Sequence, residues 1–174
     1  MKRYFAVTLA LAFLVGCSAQ LNVISEGATD EDVRKNILET ENSLVLRTDF
    51  SDDGVWDALR TAIEEPAGEF GFRAYVDFVS DPAYANISLA DLLTLISPGS
   101  DHTFIFVVDQ RAISDPEHPI LVIDLFEEQR GRSFRVIPSE MWGVENNLSL
   151  ANLDFVEFAE HVDPDGVFRG FGNH

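Results

Sequence analysis

From Ser43 onward the chain alternates between short apolar runs and amphipathic stretches, which is the pattern of a domain that contains both strands and helices. Five runs rich in β-branched and aromatic residues predict strands. The run at 103–109 is almost entirely apolar, which predicts a central strand buried on both faces. The predicted strands span residues 44–47, 72–79, 103–109, 120–126 and 133–137.

Three stretches carry apolar residues at helical spacing. Ser51 or Asp52 can cap the first helix, which should stop near Pro66. Ser88 with Asp91 resembles a capping box at the start of the second, which Pro98-Gly99 should end. The apolar positions are Val55, Trp56, Leu59 and Ile63 in the first helix, Leu89, Leu92, Leu93 and Ile96 in the second, and Leu153, Phe155, Val156, Phe158, Ala159 and Val162 in the third.

The predicted element order is β-α-β-α-β-β-β-α, and a turn at Gly131 should join the last two strands as an antiparallel hairpin. This order predicts an α/β (α+β) fold, in which one mixed β-sheet of about five strands packs against helices in a single domain. We divide the chain into a leader at 1–16, a polar tether at 17–42 and a globular domain at 43–174.

The leader has the features of a bacterial lipoprotein signal peptide. Lys2 and Arg3 give it a positive start, and the apolar run at 5–15 is shorter than the roughly 20 residues that cross a bilayer. The run ends in a sequence that resembles a lipobox, Leu14-Val15-Gly16-Cys17. This resemblance implies that the Cys17 sulfur receives a diacylglyceryl group and that cleavage follows Gly16.

Cys17 is the only cysteine in the chain, so it cannot form an internal disulfide and is interpreted as the point of lipid attachment. Two or three acyl chains would anchor the protein in the cell envelope, outside the cytoplasm. Ser18 stands where an aspartate would favour retention at the inner membrane, which favours the outer membrane in a Gram-negative host. Within the tether, residues 29–38 predict a short helix that either docks on the domain or spaces it from the membrane.

The formal net charge of −18, from 30 acidic and 12 basic residues, narrows the choice of partners. Nucleic acid is excluded as a partner because its phosphates require a basic surface. Anionic lipid head groups would also be repelled, so we expect membrane contact through the covalent lipid alone. Solubility, a saline habitat or a basic partner would each account for this charge.

Four stretches together are similar to a known family: LRTDFSDDGVWDAL, FVSDPAYANISLADLL, FVVDQRAISDPEHPILVIDL and FRVIPSEMWGVENNLSLANLDFVEFAEHVDPDGVFRGF. The family that they resemble is an uncharacterised bacterial domain of unknown function. The resemblance covers about residues 44–171. It implies a small stand-alone domain and no particular activity.

Motifs of known catalytic and cofactor sites are absent from the sequence, including the phosphate-binding loop, G-x-S-x-G, H-E-x-x-H and C-x-x-C. The histidines lack metal-ligand spacing; we expect His118 in a loop and His161 near the end of a helix. Gly166, Gly170 and Gly172 follow the last helix and predict a flexible tail. We therefore predict a protein without enzymatic activity, and without a cofactor other than the lipid on Cys17.

Two carboxylates stand where open α/β sheets bind ligands. Asp49 follows the first predicted strand and Asp109 ends the third, so both lie at one edge if these strands are parallel neighbours. With Asp52 or Asp53 they could hold Mg²⁺ or Ca²⁺, as in the acidic pocket of phosphoryl-transfer receivers, although the lysine of such pockets is missing. The alternative is that these residues cap a helix and open a turn.

Asp124 lies within the fourth predicted strand, where a buried carboxylate is costly unless it is paired. Arg135 on the hairpin partner is the expected cross-strand companion. Exposure on one face of the sheet and a role as a catalytic acid are the alternatives.

The segment MWGVENNLSLANLDF begins in the stretch that should connect the hairpin to the last helix. It places an aromatic residue beside hydrogen-bonding side chains, a composition typical of recognition surfaces. The candidate binding residues are Trp142, Glu145, Asn146 and Asn147. In the alternative interpretation, Trp142 fills the core and the asparagines cap turns.

The sequence thus predicts a lipid-anchored envelope protein whose domain binds an unidentified protein or extracellular ligand. A protective or immunity-type role follows only by analogy with other small acidic domains. The alternative function is a divalent-cation-dependent enzyme or sensor that uses Asp49 and Asp109.

Overall fold

The computed structural model of the protein describes residues 40–96 and 100–172. The leader, the lipobox, most of the tether with its predicted helix, and the Pro98-Gly99 pair expected to end the second helix lie outside the described residues. Those interpretations stay predictions.

Six strands and five α-helices make up the described part of the chain. Three short 3₁₀ turns, Pro82–Tyr84, Glu127–Gln129 and Pro138–Glu140, lie between them. The strands are β1 (Ser43–Arg47), β2 (Val76–Val79), β3 (Phe104–Val108), β4 (Ile120–Asp124), β5 (Ser133–Val136) and β6 (Val167–Phe168). The helices are α1 (Asp53–Glu64), α2 (Leu89–Leu95), α3 (Gln110–Ser114), α4 (Met141–Ser149) and α5 (Phe155–Ala159).

All six strands form one mixed sheet in the order β2-β1-β3-β4-β5-β6. β1 is parallel to β2 and β3, whereas β3, β4 and β5 run antiparallel and β6 is parallel to β5. The predicted mixed sheet, single domain and hairpin are confirmed. The prediction of a flexible tail is wrong, because Val167 and Phe168 are buried in β6 and the Gly166 carbonyl accepts the Arg135 N–H at 3.0 Å.

The sheet separates two apolar layers, and the alternation of side chains along β3 supplies both. Phe104, Phe106 and Val108 pack in the layer that contains α1, α4 and α5. Ile105 and Val107 pack in the layer that contains α2. The central strand is therefore buried on both faces, as its apolar sequence predicts.

The first two helices begin where their capping residues predict. The Asp52 side chain accepts the Val55 N–H at the start of α1, and the Ser88 side chain accepts the Asp91 N–H at the start of α2. Trp56, Leu59 and Ile63 form the buried face of α1.

Three local predictions need correction. The strand expected at 72–79 begins only at Val76, since Phe72 instead pairs with Ala67 in an isolated bridge. The segment expected to connect the hairpin to the last helix forms α4, and the turn expected after Asp109 forms α3. His118 lies in a loop and His161 follows α5, as predicted.

Among residues 40–96 and 100–172, no helix has both the length and the apolar character required to span a bilayer.

Candidate functional site

Three aromatic side chains, Phe70, Phe72 and Trp142, form a cluster that we call the aromatic surface. The rings of Phe72 and Trp142 stack with centroids 5.1 Å apart and planes 7° from parallel. Phe70 lies against Phe72 at 5.9 Å and is 81% exposed, and Phe72 is 47% exposed. An aromatic group in contact with another exposed aromatic group is a common element of recognition surfaces.

A tight loop presents the two phenylalanines. Its ends are joined by two backbone hydrogen bonds between Ala67 and Phe72, with N···O distances of 2.7 and 3.0 Å. Gly68 and Gly71 have φ angles of +67° and +66°, a conformation that glycine adopts without steric strain. The loop is thus held in a defined shape by its own backbone.

Helix α4 fixes the position of this loop. The Asn146 amide donates to the carbonyls of Trp142 and Arg73, both at 2.8 Å. Glu145 is buried, and one of its carboxylate oxygens accepts the Tyr75 N–H at 3.0 Å. Its other oxygen accepts the hydroxyls of Ser43 at 2.9 Å and Ser149 at 2.7 Å.

The four candidate binding residues therefore occupy different environments. Trp142 is partly buried against the core and stacks on Phe72. The Glu145 and Asn146 side chains make hydrogen bonds within the domain, and the Asn147 amide donates to the Gly143 carbonyl at 2.7 Å. Their role in binding stays a prediction.

Phe70 and Phe72 were not among the residues singled out from the sequence. Their signal is the motif GEFGF at 68–72, in which a glycine stands close before each exposed aromatic position. Three exposed carboxylates, from Glu64, Glu65 and Glu69, are near these rings in the sequence, and the exposed Arg73 directly follows Phe72. We call the three glutamates the acidic border.

The carboxyl edge of the parallel strands has the predicted arrangement, since β1 and β3 are parallel neighbours. Asp49 accepts hydrogen bonds from the backbone N–H and the hydroxyl of Ser51. Asp109 accepts two hydrogen bonds from the Arg135 guanidinium, at 2.6 and 3.0 Å, and one from the Ala112 N–H at 3.1 Å.

Asp109 is consequently an ionised partner of Arg135 and the N-cap of α3. Burial acts to raise the pKa of Asp109, but the hydrogen bonds from Arg135 and Ala112 outweigh it and hold that pKa below its ordinary value. In the part of the chain that the structure describes, no group of three or more His, Cys, Asp or Glu side chains is placed to hold a metal ion. Of the residues in the capping alternative, Asp52 caps α1, Asp109 caps α3 instead of opening a turn, and Asp49 accepts hydrogen bonds from Ser51 without capping a helix.

The expected pair between Asp124 and Arg135 is wrong. Arg135 lies opposite Leu121 in the β4–β5 register, on the other face of the sheet from its buried neighbour Phe134. Asp124 follows Val122 on the face that carries Phe134, so Arg135 reaches Asp109 instead.

Asp124 is 3% exposed and accepts one hydrogen bond, from the Phe126 N–H at 2.8 Å. Burial raises the pKa of the Asp124 carboxyl, and this effect is opposed by the Phe126 hydrogen bond and the nearby Arg132 charge. The side chain is thus a buried acid without an ion-pair partner among the described residues.

Two clefts lie at the other end of the strands from Asp49 and Asp109. The Asp124 cleft has a volume of about 310 Å³, and the Glu145 cleft has a volume of about 570 Å³. The two clefts adjoin because they share four lining residues, Thr103, Phe104, Leu148 and Ala151.

The sequence matches the family described as Domain of unknown function (DUF6924) over residues 42–171. The chain belongs to this family. The DUF6924 region includes all six strands, the aromatic surface and the Asp124 cleft, and it includes the Glu145 cleft except for Thr40 and Glu41. No curated protein matches the sequence.

Proposed function

We propose that this DUF6924 protein is a lipid-anchored protein of the cell envelope whose domain binds a protein partner through the aromatic surface. The observation that supports the proposal is the exposure of Phe70, 81% of which is accessible to solvent while its ring packs on Phe72. Covering such a ring with a partner removes apolar area from water and favours association.

The loop that carries Phe70 suits binding because its shape exists before a partner arrives. Backbone hydrogen bonds between Ala67 and Phe72 close the loop, and the stack on Trp142 supports it from the α4 side. Little conformational entropy is then lost when a partner covers these rings. Binding of this kind requires no catalytic group, in agreement with the absence of catalytic motifs from the sequence.

The acidic border suggests what the partner presents. Glu64, Glu65 and Glu69 are exposed, and the whole chain carries a net charge of −18. A partner with an apolar pocket and a basic rim would match this pattern and would associate rapidly at low ionic strength. An acidic domain that covers a basic protein is also consistent with a protective or immunity-type role.

Site-specific photo-crosslinking in cells tests the binding surface directly. A photo-reactive phenylalanine replaces Phe70 in the full chain, and the same group replaces Leu89 in a matched control. Leu89 is also an exposed apolar residue, at 40%, but it lies on α2 and lines neither cleft. We expect one stoichiometric protein adduct from position 70 and none from position 89.

A substitution then separates binding from folding. Phe70→Ser removes the exposed ring and should change stability by less than about 0.5 kcal/mol, as is usual at exposed positions. It should nevertheless abolish capture of the partner. Capture that survives Phe70→Ser, or equal adducts from positions 70 and 89, would contradict the proposal.

The lipid anchor has an independent test. Cys17→Ala removes the sulfur to which the lipid would be attached. The variant should be released from membranes or keep its leader uncleaved, as membrane fractionation and intact mass would report. A processed, membrane-bound Cys17→Ala variant would contradict lipidation without affecting the argument about Phe70.

A further inference from the structure

We propose that the Asp124 cleft is a binding site for a small organic cation, an ammonium group carried on an apolar stem. This site is separate from the aromatic surface and does not depend on it. The inference rests on one buried carboxylate and on the side chains that surround it.

The position of Asp124 follows from the sheet register. It is the last residue of β4 and lies directly opposite Phe104 in β3. Phe126 N–H occupies one carboxylate oxygen, at 2.8 Å. Asp124 is only 3% exposed, yet within residues 40–96 and 100–172 no group donates a hydrogen bond to its second carboxylate oxygen. A buried acceptor in this state gains when a ligand brings a donor.

The rest of the cleft supplies an apolar wall and further negative charge. Phe104, Leu153 and Phe155 form part of its apolar lining. Glu128 and Asp154 add two carboxylates, and no Lys, Arg or His of the described residues lines the cleft. Asp154 is fixed in place as the N-cap of α5, in a capping box with Glu157. A cationic head with an apolar stem matches this combination of groups.

The dimensions allow a ligand of this kind. A volume of about 310 Å³ is at the lower end of the range of roughly 300–1,000 Å³ typical of small-molecule sites. The ammonium group would donate to the open Asp124 oxygen, and its stem would lie against the aromatic lining. Arg132, whose charge acts on Asp124, donates to the side chain of Gln129 at 2.8 Å; Gln129 lines the cleft, but Arg132 does not.

Calorimetric titration of the full chain with two probes of equal shape tests the inference. The first probe is 2-phenylethylammonium chloride, and the second is 2-phenylethanol, which lacks the charge. We expect the ammonium probe to bind about ten-fold more tightly, since one charge-assisted hydrogen bond is worth at least roughly 1.4 kcal/mol. A third probe, N-acetyl-lysine methylamide, reports whether a lysine side chain fits better than a free amine.

Variants assign the preference to Asp124. Asp124→Asn should remove the ten-fold preference, because the amide keeps the shape and the acceptor for Phe126 but loses the charge. Asp57→Asn is the matched control: Asp57 is exposed on α1, does not line the cleft and changes the net charge equally. Glu128→Gln, at an exposed position, should weaken binding of the ammonium probe a few-fold. This variant replaces Asp124→Asn in the test if Asp124→Asn does not fold.

The inference is supported if either ammonium probe binds more tightly than 2-phenylethanol and this preference depends on Asp124. The ammonium probe that binds more tightly indicates whether the cation is a free amine or a lysine side chain. Absence of binding, equal binding of the alcohol, a preference that persists in Asp124→Asn, or an equal loss in Asp57→Asn would overturn it.

Discussion

Replacing Arg135 by methionine should destabilise the domain, because this arginine joins three separate parts of the fold. Its side chain starts on β5 and makes two hydrogen bonds to Asp109, at the end of β3, with N···O distances of 2.6 and 3.0 Å. The same guanidinium donates to the Pro119 carbonyl, just before β4, at 2.8 Å. Methionine keeps the apolar stem and removes all three contacts.

The expected loss of stability depends on the solvent exposure of the Arg135–Asp109 pair. The side chains of Arg135 and Asp109 are 15% and 27% exposed, so the pair is mostly buried. Removing one partner of a fully buried pair costs about 3–5 kcal/mol, and exposed pairs contribute about 0–1 kcal/mol. We expect Arg135→Met to lower the free energy of unfolding by about 2–3 kcal/mol, since some solvent screening remains.

Urea denaturation at neutral pH measures this cost in Arg135→Met, in Asp109→Asn and in the double variant. The coupling energy of the cycle should be about 1–2 kcal/mol. Arg111→Met is the matched control at the same edge of the sheet: Arg111 is 38% exposed and its ion-pair distances are 3.7 and 3.8 Å. That substitution should cost less than about 1 kcal/mol.

The effect should also depend on pH with a definite sign. The pKa of Asp109 is lowered in the folded state, so its contribution to stability is present at neutral pH and is lost as the pH falls below about 4, through that lowered pKa. The difference between wild type and Arg135→Met should therefore shrink in acid. A coupling energy under about 0.5 kcal/mol, or an equal cost for Arg111→Met, would refute the reasoning.

Three further predictions concern other parts of the domain. Hydrogen bonds from Arg169 are the main cause that lowers the pKa of Asp165 to about 2, so in Arg169→Gln this pKa should rise toward its ordinary value by NMR, and an unchanged titration would be evidence against this pairing. Burial raises the pKa of Asp124, so ionisation of this carboxyl destabilises the fold as the pH rises. The melting temperature of Asp124→Asn should therefore be above that of wild type at pH 8, and the difference should vanish by about pH 3. A difference in melting temperature that does not depend on pH would contradict this explanation. Gly131 has φ +92° and a Cβ there would lie 3.0 Å from the nearest side chain, so Gly131→Ala should cost about 1–3 kcal/mol in urea unfolding, more than Gly68→Ala, whose φ is +67° in open space.

Much of the sheet follows from the sequence because its signals are local. The apolar residues of β3 and β4, and the caps Asp52 and Ser88, determine these elements within a few residues of themselves. Helix α4 could not be predicted in this way, since Gly143, Asn146 and Asn147 have low helix propensity. Burial of Met141 and Val144 overrides that propensity.

The candidate sites depend on contacts between distant residues. The position of the loop that carries Phe70 depends on the bridge between Ala67 and Phe72 and on α4. The Glu145 side chain of α4 accepts a hydrogen bond from the N–H of Tyr75, 70 residues earlier. The predicted pair of Asp124 and Arg135 is wrong because the β4–β5 register places Arg135 opposite Leu121, on the other face of the sheet. The sequence identifies Asp124 as unusual, but the cleft beside it exists only in the assembled fold.

The two-residue strand β6 has a consequence for how the domain behaves in concentrated solution. β5 would be an open edge of the sheet without Val167 and Phe168, and open edges pair readily with strands of other molecules. The ion pairs of Arg169 with Glu117 and Asp163 hold this segment at the edge. A truncation before residue 167, or a fusion that displaces the strand, should therefore increase self-association of the domain.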